Sequence, residues 1–383
     1  MSEQNYKVLV NLSTLMTGGV LQAAAALIVH AIRDPVARDW HYAISSGVAD
    51  EIRHFGIEPD GPQFHVFEKS PARDAGERER LLALEAELKP DLVFTLFGPA
   101  YVRFISRHLC GVADPWVTHS NWVAFQKLPV SQWPQKIGLM AWKAYWWLSP
   151  DFWWTEAEVA KDGLVSRLRC SPEDIFVVPN TTGPQFNDRE FQPAFPAGDR
   201  LEILCLSAYY EHKNLELIPD VALEMSRQRP ELDFRFTLTL PEDWPQVQGI
   251  LARARELGVE GYLNNLGKVA VTDTPDLYAR SHLCFLPSLL EVFSAVYPEC
   301  LCTGVPLVTT DMRFSRDICQ DAAAYYRPGD ARSAAGQIIE LAENEQAWRR
   351  ISERGREVYA ALPDAAGKWE LQKAMVQEAA GRS

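Results

Sequence analysis

The sequence predicts an α/β protein of two domains, each built around a parallel sheet. Three observations lead there. Short apolar runs alternate with helix-like runs along the whole chain. Its 383 residues are enough for two domains that each bury a core. Near the middle, Pro179–Arg200 is turn-rich, with Pro179, Pro184, Pro193 and Pro196. This stretch reads as a hinge.

The elements follow in order. Tyr6–Leu12 is an apolar strand, followed by the loop Ser13–Gly19 and a helix from about Val20 to Ile32. Trp40–Ser45 is a second strand. Glu77–Leu88 is a helix with leucines on one side, ended by Pro90. Asp91–Leu96 is a strand stopped by Gly98-Pro99. Trp116–His119 reads as another short strand, and Phe152–Thr155 and Ile175–Val178 continue the pattern. Beyond the hinge, Leu201–Leu206, Phe234–Leu240, Gly261–Leu266, Leu283–Leu286 and Pro306–Thr310 read as strands. Leu215–Gln228, Ala331–Glu343 and Gln346–Ala361 read as helices, and a last helix carries Trp369.

The bulk properties restrict function. Hydrophobic content of 47% and charge content of 23% match an ordinary soluble globular protein. A net charge of -13 argues against nucleic acid as a partner. Seven cysteines, with no CxxC pair and no zinc-like spacing, read as buried free thiols in a reducing compartment. Polar residues lead straight into the first strand, so no signal peptide is read. No apolar run reaches the roughly 18–20 residues that span a bilayer. No repeat or low-complexity tract is seen. The expected location is the cytoplasm.

The most informative stretch is Pro287-Ser-Leu-Leu-Glu291-Val-Phe293-Ser294-Ala295-Val-Tyr-Pro298-Glu299, followed by Cys300-Leu-Cys-Thr-Gly304-Val-Pro306. The apolar run before Pro287 is a buried strand. Ser294–Thr303 reads as a short helix, with Ser294 as N-cap, Pro298 in the first turn and Gly304 past the end. Glu291 then lies in the loop and Glu299 on the first turn. Between them, free amides and the positive helix end form an anion site. A diphosphate on those amides leaves a carboxylate on each side for sugar hydroxyls. On residue pattern alone, two solvated glutamates flanking a strand–loop–helix remain the rival reading.

The pattern Pro-Ser-x-x-Glu-x-Phe-Ser-x(5)-Glu-Cys-x-x-x-Gly-x-Pro-Leu-Val resembles the nucleotide-sugar signature of GT-B glycosyltransferases, specifically the retaining family four (group 1). Ser294 stands where the family usually has Gly, and Cys300 where it has Ala. The likeness covers about residues 201–330 and is weaker before them. It implies two Rossmann-like domains facing a cleft. Residues 1–182 would form an acceptor-side domain and 183–362 a donor-side domain. Residues 363–383 would be a helix returning to the first domain, with Trp369 matching a family Trp.

The resemblance also assigns roles. Glu291 would bind donor-sugar hydroxyls and stabilise an oxocarbenium-like transition state, and Glu299 would hold the ribose. The amides of Phe293, Ser294 and Ala295 would meet the diphosphate. Lys213-Asn214 fits the family's phosphate-binding Lys-Gly/Asn, whereas Ala208 stands where the family has Arg. Lys213 is therefore the expected phosphate cation, with a solvated loop lysine as the rival reading. The loop holding Gly267 and Val269 would touch the base through its backbone. Gly18-Gly19, between strand and helix, would admit the diphosphate closely, or is a plain turn. His119 would bond donor sugar or reacting phosphate, or is structural. Gly98-Pro99 would border the cleft, or is a turn.

There is no Asp-x-Asp triplet of the kind that holds a divalent metal in glycosyltransferases of the other main fold. Phosphate charge is expected to be met by amides and Lys213, with no metal and no cofactor beyond the donor. Eight of the twelve tryptophans lie between Trp116 and Trp154, interleaved with Lys127, Lys136 and Lys143. Peripheral membrane contact, a sugar groove and aromatic core stand as three readings of this segment. The chain is expected to be a retaining, metal-independent glycosyltransferase of surface polysaccharide synthesis. Its donor would be a nucleotide-diphosphate sugar and its acceptor a glycan or lipid-linked oligosaccharide, used at the inner face of the plasma membrane if the tryptophans meet lipid. A nucleotide-sugar epimerase and a non-catalytic sugar-binding protein are the alternatives.

Overall fold

The computed structural model describes residues 5–16, 18–187, 189–197 and 200–382. Thr17 of the predicted loop, and Asp188, Gly198 and Asp199 of the predicted hinge, lie outside the described residues. Two compact units divide the chain. One comprises Met1–His119, Pro134–Pro179 and Asp364–Ser383; the other comprises Ser120–Trp133 and Asn180–Pro363.

The first unit holds strands β1 (Val8–Leu12), β2 (Trp40–Ser45), β3 (Phe64–Phe67), β4 (Leu92–Thr95), β5 (Arg107–Gly111), β6 (Phe152–Thr155) and β7 (Ile175–Val177). They form one sheet in the order β3-β2-β1-β4-β5-β6-β7, every pair parallel. β1 and β4 are buried at every position, because helices cover both faces of a parallel sheet. The order reverses between β1 and β4.

A buried polar file crosses these central strands. Asn11 Nδ2 donates to Thr95 Oγ1 at 3.1 Å, and Thr95 Oγ1 bonds His108 Nε2 at 2.8 Å. Burial pushes the His108 imidazole down to about 3, so it is neutral in the core. β5 opens on the polar pair Arg107-His108, which gives it no apolar signal at its start, and it is not among the strands expected from sequence. Trp116–His119, expected as a strand, is instead a helical turn, Pro115–His119. Asp114 Oδ1 accepts the Trp116 N–H at 3.0 Å, and Pro115 opens the turn, a helix-start signal outweighed by the apolar run.

The last helix, Ala365–Gly381, belongs to this unit. Asp364 caps it by accepting the Gly367 N–H at 2.7 Å. Trp369 packs edge-on to Trp40 with centroids 5.7 Å apart, and its indole N–H donates to Asp34 Oδ2 at 2.9 Å. One turn's neighbour, Lys368, reaches buried Glu156, which follows β6, at 3.5 Å.

The second unit holds β8 (Leu201–Cys205), β9 (Phe234–Leu238), β10 (Leu263–Asn265), β11 (Leu283–Leu286), β12 (Leu307–Thr310) and β13 (Ala323–Tyr326). Their order is β10-β9-β8-β11-β12-β13, again all parallel. Here the order reverses between β8 and β11. The expected strand Gly261–Leu266 begins instead as a 3-10 turn, Glu260–Tyr262, before β10. Gly261 at its head favours the turn.

The tryptophan-rich segment is not one surface. Trp116, Trp147, Trp153 and Trp154 are buried, whereas Trp122 and Trp142 are exposed. No described helix is long and apolar enough to cross a membrane. The seven cysteines are unpaired, and six are buried.

Candidate functional site

Open parallel sheets bind ligands beyond the carboxyl ends of their strands, where the strand order reverses. In the second unit that point lies between the loops after β8 and β11. The first loop carries Lys213 and Asn214; the second carries Glu291. Lys213 ends a 3-10 turn, Glu211–Lys213, and Asn214 follows with φ 55, a left-handed conformation that Asn tolerates better than most residues. Asn214 is fully buried, and its Nδ2 donates to the Pro287 carbonyl at 3.4 Å. The Leu289 N–H donates to the His212 carbonyl at 2.7 Å. These two bonds tie the loops together, and the Lys213 ammonium donates to Glu291 Oε1. The side chains of Lys213 and Glu291 are only 13% and 9% exposed, so their attraction is little screened.

The helix after β11 is Val296–Thr303. The expected Ser294 cap is not made: Ala295 is the N-cap and no side-chain cap bond is present. Phe293-Ser294-Ala295 forms the lead-in instead. Ser294 and Ala295 do accept the first bonds of the helix, the Tyr297 N–H at 3.1 Å and the Glu299 N–H at 3.1 Å. Gly304, with φ 72, ends it by donating its N–H to the Cys300 carbonyl at 2.9 Å. Glu299 stands on the first turn and is buried. Burial pushes its carboxyl up to about 7, against the lowering effect of the Tyr278 hydroxyl, which donates to Glu299 Oε2 at 2.8 Å. Ser288 Oγ and Asn214 Oδ1 are buried without a hydrogen-bond partner among the described residues.

The remaining candidates of this unit are also loop residues. Gly267 has φ 73 and follows β10 with Val269. Asn265 clamps that loop to the end of β9, donating Nδ2 to Leu240 O at 2.9 Å and accepting its N–H at 3.0 Å. Ala208 is exposed, and the loop Ser207–Asn214 contains no arginine. His212 stacks on Tyr210 with centroids 5.6 Å apart.

In the first unit, Gly18 and Gly19 lie at the reversal point after β1. Gly18, at φ 85, is the N-cap of the helix Gly19–Ala31 and makes no side-chain cap bond. A Cβ on either glycine would meet nothing within 4 Å, so this turn is open. Gly98 is not open: a Cβ there would lie 2.3 Å from Cys110 Sγ, and its bare Cα serves packing. His119 ends its helical turn with Nδ1 2.8 Å from Thr118 Oγ1.

Two participants carried no sequence signal. Tyr278 was an unremarkable aromatic, and only the fold places it against Glu299. Asn121 lies 168 residues before Leu289, yet its Nδ2 donates to the Leu289 carbonyl at 2.8 Å.

The two parallel sheets and the returning C-terminal helix define an α/β protein with the fold of GT-B glycosyltransferases. Residues 186–358 match the family model of glycosyl transferases group 1. Among solved structures, Alr3699/HepE of Anabaena in complex with UDP and glucose superposes with a TM-score of 0.73 at 14% identity, covering 97% of this chain and 100% of that one. The N-acetyl-alpha-D-glucosaminyl L-malate synthase of Bacillus anthracis is 29% identical over 147 residues, 38% of each chain. The phosphatidylinositol N-acetylglucosaminyltransferase gpi3 subunit of Schizosaccharomyces pombe is 24% identical over 156 residues, 40% of this chain and 32% of that one. The matched stretches thus span about a third of these curated relatives.

Proposed function

We propose that the protein is a retaining, metal-independent glycosyltransferase of family four. It moves a sugar from a nucleotide-diphosphate sugar to a hydroxyl of a glycan or lipid-linked oligosaccharide. One observation carries this reading: Lys213 and Glu291 meet as a nearly buried pair at the strand-order reversal of the second unit, beside the first turn that bears Glu299. A cation, a helix N-terminus and two carboxylates in one place suit a diphosphate flanked by two hydroxyl-bearing rings.

In the proposed reaction the leaving diphosphate gains charge as the glycosidic bond breaks. Lys213 and the amides of Phe293, Ser294 and Ala295 offset that charge without a metal. Glu291 binds the transferred sugar and stabilises the positive charge developing on its ring. Glu299 accepts hydrogen bonds from the ribose, and Gly267 and Val269 present backbone to the base. Gly18, Gly19 and His119 of the first unit are proposed to assist at the diphosphate and the reacting sugar. The complex of the Anabaena neighbour with UDP and glucose, and the sugar-transferring names of the two relatives, support a nucleotide-sugar donor.

The proposed location is the cytoplasm, at the inner face of the plasma membrane. The helix Trp133–Trp147 supports membrane contact. Ile137, Leu139, Trp142 and Tyr145 on it, and Leu148 after it, are exposed, and it bears no carboxylate. Exposed apolar and aromatic residues of this kind suit a lipid headgroup layer.

The test is a thermal-shift screen with UDP-glucose, UDP-N-acetylglucosamine and GDP-mannose, followed by donor hydrolysis with and without EDTA. A donor at about 100 times its Kd adds roughly 2.7 kcal/mol of stability. Activity that vanishes on chelation and returns with Mg²⁺ overturns metal independence. Donor conversion to an isomer without acceptor points to the epimerase instead.

A further inference from the structure

Trp122 belongs to the second unit, on the segment Ser120–Trp133. Asn121 fixes this segment at two points. Its Oδ1 accepts the Ala124 N–H at 2.9 Å and caps the turn Trp122–Phe125, while its Nδ2 holds the Leu289 carbonyl. Leu289 lies two residues before Glu291. The turn bearing Trp122 is thereby pinned to the loop bearing the proposed catalytic carboxylate.

Trp122 is also backed. Trp133 donates its indole N–H to the Leu128 carbonyl at 3.1 Å and meets Trp122 at 5.2 Å, with ring planes 80° apart. A perpendicular contact covers at most one face of Trp122, and the residue remains 61% exposed. An aromatic side chain that is held in place and left in water forgoes the burial that would stabilise the fold. Its surroundings narrow what would cover it. No Asp or Glu occurs between Pro115 and Pro150, so the patch offers a cation no carboxylate. Gln126 donates its backbone N–H to the Trp122 carbonyl at 3.0 Å, which sets an exposed amide side chain on the same face of the turn. An electron-rich ring face attracts C–H groups that carry slight positive charge, and an adjacent amide bonds hydroxyls. A pyranose offers both on one ring, whereas a lipid chain leaves the amide unused.

We propose that Trp122 is an acceptor platform: it stacks against the apolar face of a neutral hexopyranose of the acceptor and holds it next to the Glu291 loop. This rests on the glycosyltransferase reading and names the acceptor class for that site.

The experiment is saturation-transfer NMR on the full chain with the methyl α-glycosides of glucose, galactose, mannose and N-acetylglucosamine. Wild type, Trp122→Ala and Trp122→Phe are compared. At least one glycoside is expected to receive saturation on its ring C–H protons. Trp122→Ala should weaken its binding roughly fivefold to tenfold, the size of one aromatic contact, and Trp122→Phe less. Equal binding by wild type and Trp122→Ala, or no saturation of any glycoside, overturns the proposal. So does a Trp122→Ala variant that binds the glycosides normally but loses vesicles of phosphatidylcholine and phosphatidylglycerol; that outcome makes Trp122 a lipid contact. The nucleotide-sugar thermal shifts are run on the same samples. If they are equal in wild type and Trp122→Ala, the fold and donor site are intact and any loss is local. If no nucleotide sugar stabilises wild type, the transferase reading fails separately from the platform.

Discussion

Lys213 donates to a carboxylate oxygen of Glu291 across 78 positions of sequence, and neither side chain is more than 13% exposed. The contact holds both side chains in place at the point where the second sheet reverses its order.

Glu291→Ala is expected to lower kcat by about 10²–10³ while the circular dichroism spectrum stays unchanged, because the group is proposed to act on charge that exists only in the transition state. Lys213→Met should raise donor KM as well, since a uniform phosphate contact is lost. A Glu291→Ala enzyme within threefold of wild type would remove the residue from the mechanism.

Glu299 gives a pH prediction. Its carboxyl is raised from 4.5 in the unfolded chain to about 7 in the fold. The folded protein therefore binds this proton more tightly than the unfolded chain does. The unfavourable contribution of the charged form is absent below about 4.5, grows as pH rises and is complete above about 7. Glu299→Gln keeps an acceptor for the Tyr278 hydroxyl and should flatten the fall of Tm between those pH values. Donor KM of wild type should drop as the carboxylate forms through pH 7, with kcat less affected. Parallel Tm profiles for the two proteins would contradict the raised pKa.

Gly19 separates space from backbone need. It lacks a positive φ, and a Cβ there meets nothing within 4 Å, so Gly19→Ala should fold with unchanged or slightly higher Tm. If a diphosphate approaches this turn, donor KM rises. Unchanged KM in a stable variant would reduce the turn to a connection.

Glu156 and Lys368 form a buried pair between the end of β6 and the C-terminal helix. Burial raises the Glu156 carboxyl and lowers the Lys368 ammonium, each against the pull of its partner. Lys368→Met leaves a buried carboxylate uncompensated, and urea denaturation should show a loss of about 3–5 kcal/mol. The double variant Glu156→Gln/Lys368→Met should recover most of it. A single variant as stable as wild type would mean that water reaches the pair.

Membrane contact is tested on exposed residues. Trp147 is buried, so its replacement would report on folding. Ile137→Ser with Leu148→Ser leaves the core intact and should reduce sedimentation with phosphatidylcholine–phosphatidylglycerol vesicles. Lys136 lies 3.9 Å from the centre of the Trp116 ring and Lys143 bonds Asp114 at 2.6 Å, so binding should depend only weakly on salt. Wild-type protein that ignores these vesicles would end the membrane reading.

The sequence by itself determined the class of the fold and the chemistry of one loop. Apolar strands such as Val8–Leu12 and Leu283–Leu286 are legible because a parallel sheet covered on both faces leaves a continuous apolar run. The Glu291–Glu299 stretch is legible because its proline, its glycine and its spacing all lie within one strand–loop–helix. Strand β5 was not legible, because His108 and Arg107 are polar residues whose place in the sheet depends on partners such as Thr95 and Ala380. The helical turn before His119 was misread because four residues are too few to show a period, and Asp114 decided it through one bond to the backbone. Only the tertiary structure joined Lys213 to Glu291, set Tyr278 against Glu299, and divided the tryptophans into core and surface. Those relationships link loops and side chains far apart in the chain, and no local pattern encodes which strand lies beside which.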